Sequence, residues 1–304
     1  LATMRELVKE SEIYKRERMI GLKLLPYLFS KVGVAALFAL YQAAAFLLLA
    51  WISVNPPGGL DAYLGMYITL FLAVLAGMVM GLLVSGISPT QNVAPLLTVV
   101  FLLPQIFFSG GMIAPNNLPL PGQILNQVSI IKYPFESLVT LTGIGRDIAE
   151  DVCWQKSGTE RSKLTKVELQ KCQCWGTNIF QQCAVPGISS EYKKPDKKAA
   201  LERKEPAKPQ DPGPFPDDLS LLQSYKDKMN KYQEDMKKYQ TDYADWRSDR
   251  DEVIKGAETQ IDRFQQDFGS MLKVNLLQHW LRLSAIMVVM FVALIVLQKR
   301  KDVV

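Results

Sequence analysis

No residue pattern in this 304-residue chain supports catalysis. It lacks a G-x-x-x-x-G-K-[ST] phosphate loop, and Gly143-Ile-Gly145 is too short a piece of a glycine-rich pattern to cradle a phosphate. Histidine occurs once, as His279 beside Trp280 and Arg282, a setting that reads as an anchor at a membrane-water interface rather than a ligand or base. Charge is almost missing from residues 32–113, where Asp61 is the single charged side chain, and proline is missing from residues 219–272. These gaps exclude one ordinary globular core, although the mean hydropathy of +0.05 would suit one. With no catalytic motif in the chain, energy for any transport it performs is expected to come from elsewhere. The net charge of +5 is spread along the chain, which reads as solubilising surface plus membrane-flanking cations and not as a nucleic-acid site.

The charge-free stretches are long. Residues 32–54, 62–87 and 93–113 are each long enough to cross a hydrocarbon core about 30 Å thick as a helix. A fourth run, 283–297, must extend outward through Arg282, Trp280 and Leu276 to reach that length, which predicts a span over 276–298. Arg5, Lys9, Lys15, Arg16, Arg18, Lys23 and Lys31 precede the first span, and Lys299, Arg300 and Lys301 follow the last. Cations stay on the cytoplasmic side, so four spans with both ends inside are expected in the cell membrane, with 114 to about 275 outside. The first run is too long, and too far from the start, for a cleaved signal peptide.

Within the spans, Ala73, Gly77, Gly81 and Ser85 form a small-residue stripe that lets another helix approach, either in the same bundle or across a subunit interface. Pro104 predicts a kink or break. Gln42 and Gln105 are the deepest polar groups, placed to line a path or to bond between helices, and Phe108 follows them.

Cys153, Cys172, Cys174 and Cys183 all fall in the external segment. Disulfides suit them better than a metal site, because C-x18-C-x-C-x8-C lacks C-x2-C knuckles. Three pairings are open, with a Cys172–Cys174 bridge disfavoured by geometry. Residues 192–218 contain six prolines among charges and read as an extended linker. Beyond them Leu222, Tyr225, Met229, Tyr232, Met236, Tyr239, Tyr243 and Trp246 step by three and four, a heptad seam that Arg250 interrupts and Val253, Ala257, Ile261, Phe264 and Phe268 continue. The seam predicts a long amphipathic helix over 219–275, packing on its own domain or forming an intermolecular coiled coil.

Two stretches resemble the type-2 ATP-binding-cassette exporter permeases, most closely the G-subfamily. Arg5 to Arg18, ending Tyr14-Lys15-Arg16-Glu17-Arg18, then Gly21-Leu22, Pro26-Tyr27 and Ser30-Lys31, are similar to the family's cytoplasmic coupling segment that rests on the ATPase domain. Phe107-Phe108-Ser109-Gly110-Gly111, Pro115-Asn116-Asn117-Leu118-Pro119 and Lys132-Tyr133-Pro134-Phe135-Glu136-Ser137-Leu138 are similar to the end of its fifth span and the external re-entrant helices. Residues 143–275 exceed the family's usual external insertion, and Pro134 stands where a small helix former is expected, which questions the helix boundary there.

Taken together, the residue patterns and the resemblance predict an all-α membrane protein: a cytoplasmic amphipathic coupling segment (1–31), three spans, external re-entrant helices (114–142), a cysteine-containing region (143–191), a proline-rich linker, a long coiled-coil-like helix, a last span and a basic tail (299–304). Two further spans and usually an ATPase domain would precede Leu1. It implies ATPase-coupling roles for Glu10, Glu12, Tyr14, Arg16, Glu17 and Arg18, with Leu7, Ile13 and Tyr14 facing the bundle. Gln42, Gly77, Gly81, Pro104, Gln105 and Phe108 would serve the substrate path or helix packing, and Asn117, Tyr133, Phe135 and Glu136 the re-entrant region. The chain itself would carry no cofactor or metal. ATP and Mg would sit on an ATPase domain, fused or separate, and a second permease copy and membrane lipid would be the other partners. The implied function is the permease part of an ATP-driven exporter of lipid-like or amphipathic substrates, working as a dimer. The competing reading is a membrane-anchored structural or sensory protein whose external coiled coil binds a partner.

Overall fold

The computed structural model describes residues 2–302 apart from 55, 57, 184, 186, 187, 189–193 and 216–221. Among the described residues every regular element is a helix. The chain divides into two compact units, Leu1–Ala149 with Gln265–Val304, and Glu150–Phe264.

In the first unit a 3-10 turn, Ala2–Arg5, leads into α1 (Glu6–Lys9), α2 (Ser11–Met19), α3 (Leu24–Ser53), α4 (Leu60–Ile87), α5 (Val93–Phe108), α6 (Leu120–Val128) and α7 (Lys132–Thr142), and the helix Leu276–Asp302 completes it. Among the described residues three helices are long and apolar enough to cross a membrane, Leu24–Ser53, Leu60–Ile87 and Leu276–Lys301. Helix α4 is central, with α3, α7, the last helix and the N-terminal turn packed around it. Small residues permit that crowding: Leu141 seats on Gly65 and Leu294 on Gly86, where a Cβ would collide with them. Leu37, Phe38, Val288 and Val289 project outward, an apolar exterior suited to lipid.

Helix α3 begins at Leu24, ahead of the expected residue 32, because Leu24 and Leu28 are buried with Leu7, Tyr14, Leu82 and Leu294. Helix α5 departs most from expectation. It ends at Phe108 rather than 113, so its 16 residues reach only about 24 Å. It turns off at Gly110, whose φ of +95° suits glycine, and the Asn126 side chain donates to the Phe108 carbonyl at 2.6 Å, satisfying an end group that further helix would have used. Pro104 lies inside α5 without ending it. Pro134 is likewise accommodated in α7, at the third residue, where its missing N–H is one of the donors a helix start leaves unpaired.

In the second unit the long helix Leu222–Leu272 is continuous through Arg250, and its residues from Gln265 on belong to the first unit. Ala257 and Ile261 are fully buried. Arg161 stacks on Trp154 at 3.9 Å and pairs with Asp262 at 2.8 Å, and the Gly176 N–H donates to Glu258, so this part of the helix is bound to the cysteine-containing lobe. The expected linker is not uniformly extended. Pro195 starts a helix, Pro195–Glu202, as prolines do in a first helical turn, and the described residues 203–215 are irregular. Residues 192, 193 and 216–218 of that linker, and 219–221 of the expected long helix, lie outside the described residues, as do 303–304 of the tail.

Candidate coupling segment and membrane cavity

The N-terminal segment is tied to the helix bundle by three sets of contacts. Thr3 donates to the Met78 carbonyl at 2.8 Å, and Ser85 Oγ accepts from the Leu7 and Val8 N–H groups at 3.0 and 3.1 Å, satisfying donors at the start of α1 that have no helical partner. Lys31 on α3 reaches Glu10 at 2.7 Å and Glu6 at 3.3 Å, while the Tyr27 hydroxyl donates to Glu10 at 3.2 Å. The Tyr14 and Tyr27 rings pack 4.9 Å apart. Salt bridges with this much exposure are individually weak; here they add direction to an apolar anchor made by Leu7 and Tyr14.

The six residues assigned to coupling therefore divide. Tyr14 is buried and Glu10 turns inward to Lys31, whereas Glu12, Arg16, Glu17 and Arg18 are exposed. Ile13 does not face the bundle: it is 49% exposed, and Met19 and Ile20 beyond it are more so. With Leu7 and Tyr14 both on the buried face of short helices, the 100° step per residue carries position 13 off it. The open face is thus mixed, with charges interleaved by Ile13, Met19 and Ile20.

Gln42, Gly77 and Gly81 come together around a cavity of about 330 Å³ between α3, α4 and α5, with Ala73, Thr98, Leu102, Ile130, Ile131 and Pro134 of α7 completing its wall. Gly77 opens onto free space, so a Cβ there would touch nothing within 4 Å. Gly81 lies beneath the Thr3 hydroxyl, which a Cβ would strike, so the same stripe serves the cavity at one end and packing at the other. Pro104, Gln105 and Phe108 do not line it. Gln105 donates to Met80 Sδ at 3.1 Å and accepts from the Ile130 N–H at 3.3 Å, joining α5 to α4 and to the turn before α7. Phe108 packs over Gly122 of α6.

Beside this cavity is a buried polar cluster. His279 is 8% exposed and its Nε2 lies 2.7 Å from Glu136 Oε2, while its Nδ1 is 3.1 Å from the Asn275 carbonyl. Lys132 donates to Asn126 at 2.6 Å and stands 4.0 Å from Glu136. Tyr133 meets the His279 ring edge-on and donates to the Gln127 carbonyl. The reading of His279 as an interfacial anchor is corrected: 143 residues of separation hid its carboxylate partner. Only the i,i+4 spacing of Lys132 and Glu136 could have signalled the cluster. Of the remaining re-entrant residues, Asn117 donates to Asp267 at 2.9 Å and Phe135 packs beside Gly111.

In the second unit Cys153 lies at disulfide distance from Cys172, and Cys174 from Cys183, with Cα separations of 6.0 and 5.2 Å. Asp151 accepts from the N–H groups of both Cys153 and Cys174, holding the two pairs side by side.

Residues 2–141 match the ABC-2 type transporter family. An ABC transporter ATP-binding/permease protein of Mycobacterium tuberculosis is 32% identical over 134 residues, covering 42% of this chain and 15% of that protein. No solved structure matches the chain. The matched stretch, a little under half of the chain, holds the N-terminal segment, the cavity and Glu136, and is similar to an ABC-2 type transporter membrane domain.

Proposed function

We propose that this chain is the permease part of an ATP-driven exporter of lipid-like or amphipathic substrates. The observation that carries the reading is the N-terminal segment, held to α3 and α4 through Lys31 and Ser85 while Glu12, Arg16, Glu17 and Arg18 are exposed. A segment so anchored passes force from an ATPase into α3 and α4, which wall the cavity. In this reading ATP and Mg are held by an ATPase domain, fused or separate. α5 is the third of four spans, both ends lie in the cytoplasm of a cell with this protein in its plasma membrane, the two cysteine pairs are oxidised outside, α6 and α7 are re-entrant, and two permease copies enclose the path. The shortness of α5 fits a span completed by the adjoining turn and α6. A rival reading, an anchor whose seam recruits a coiled-coil partner, loses its surface, because residues of this same chain cover that seam.

The test is double charge reversal on the open face, Arg16→Glu with Glu17→Lys, in the complete transporter reconstituted with its ATPase. Net charge before the first span is unchanged, so insertion should be normal. Basal ATP hydrolysis should persist while its stimulation by lipid substrates is lost. Unaltered stimulated hydrolysis and transport would remove this segment as the transmission element.

A further inference from the structure

The seam on the long helix is covered by the chain's own proline-rich segment, and the match between them is specific. Trp246 Nε1 donates to the Arg203 carbonyl at 2.9 Å, and the Tyr225 hydroxyl donates to the Gly213 carbonyl at 3.1 Å. The segment therefore runs antiparallel to the helix. Trp246 to Tyr225 spans about 32 Å at 1.5 Å per residue. Arg203 to Gly213 spans the same distance only if it rises about 3.1 Å per residue, the value for a polyproline II helix.

The burial pattern has the matching period. Pro206, Pro209 and Pro212 are half-buried while Glu205, Ala207, Lys208, Gln210 and Asp211 are exposed, one face of a three-residue turn. On the long helix the half-buried Tyr225, Tyr232, Met236, Tyr239, Tyr243 and Trp246 form a floor of aromatic rings and one thioether, with Tyr239–Tyr243 and Tyr243–Trp246 rings 5.7 and 5.6 Å apart. The ends are fastened by Arg250 donating to the Leu201 carbonyl at 3.2 Å, Arg203 beside Asp249 at 3.5 Å, and Phe215 edge-on to Tyr225. A polyproline II strand has no internal hydrogen bonds, so its carbonyls are free for indole and phenol donors, and proline fits between aromatic rings at little cost in entropy.

We propose that this helix face is a recognition site for polyproline II peptides of the form P-x-x-P-x-x-P, occupied in cis by residues 203–215. The external unit is then a peptide-binding module, and the cis segment both defines the ligand and keeps the site closed. A free peptide of the same pattern competes for it in proportion to the fraction of molecules in which the segment has lifted.

The experiment uses the whole chain in detergent and a fluorescent peptide of residues 201–215. The variant Pro206→Ser, Pro209→Ser, Pro212→Ser should bind this peptide saturably and about tenfold or more tightly than the parent protein, because the competing occupant has been weakened. A peptide with serine at the three proline positions should not bind, and adding Trp246→Ala to the variant should abolish binding of the proline peptide. Equal binding by variant and parent, with helix content preserved, overturns the proposal; so does self-association of the variant along the vacated seam in place of peptide binding. Should the variant lose helix content, hydrogen exchange in the parent protein decides. Excess proline peptide should then deprotect residues 201–215, and unchanged protection overturns the site.

Discussion

Glu136 is the residue on which the polar cluster turns, since it faces both His279 and Lys132 within a buried pocket. Removing one partner from a buried set leaves the others desolvated and unpaired. Glu136→Ala should therefore lower stability by about 3 kcal/mol, the low end for such a loss because Lys132 keeps Asn126. Glu136→Gln, which can still bond His279, should lose much less. Thermal unfolding in detergent ranks the two, and equal loss would show that the charge itself is what the pocket needs. In the external unit, burial pushes the Glu258 carboxyl above its ordinary value of 4.5, against the Gly176 hydrogen bond that favours the charged form. Its folded form binds the proton more tightly, so stability falls as pH rises from about 4.5 through the raised value. Glu160 and Glu168 are lowered by the hydrogen bonds of Ser157 and Thr165, and what they contribute is present above 4.5 and lost as pH falls below it. Glu258→Gln should flatten the loss on the alkaline side alone. Hydrogen exchange of residues 150–183, corrected for intrinsic rate, measures it, and an unchanged slope would remove Glu258 as its origin.

Helix α4 carries two glycines that look alike in sequence and differ in surroundings. Gly77→Ala adds a methyl to open cavity and removes the helix penalty of glycine, so it should stabilise by about 0.5–1 kcal/mol. Gly81→Ala drives into the Thr3 hydroxyl and breaks its bond to the Met78 carbonyl, which should outweigh that gain by about 1 kcal/mol and loosen the N-terminal turn. Opposite signs in thermal unfolding are the expected result; the same sign at both sites would contradict the packing. The stripe's periodicity announces close packing but not which of its residues is covered. The seam on the long helix poses the same problem. Its three-four step was legible in Leu222 to Trp246, yet a stripe of Tyr and Met accepts a second helix or an extended proline segment equally well, and only the antiparallel run of residues 203–213 decided between them.

For the whole molecule, the orientation reading places α2 inside and the cysteine lobe outside. In sealed cells, with native cysteines masked, Ser11→Cys should resist an impermeant thiol reagent and Gln210→Cys should react. Labelling of Ser11→Cys would invert the proposed topology. Non-reducing digestion should link Cys153 to Cys172 and Cys174 to Cys183, and a Cys153–Cys183 peptide would contradict the geometry of the lobe.

Composition by itself marked four segments as apolar enough to span a membrane, three of which are helices of that length among the described residues, because transfer of a backbone into lipid depends on local hydropathy and length and needs no knowledge of neighbours. The same local physics made helices near the N-terminus and over Leu222–Leu272 readable. Tertiary structure decided the end of α5, where Asn126 takes the Phe108 carbonyl, the partner of His279, the inward turn of Glu10 to Lys31, and which cysteines meet. Each of these is settled by groups distant in sequence that become neighbours only after the helices pack, so no local pattern could encode it.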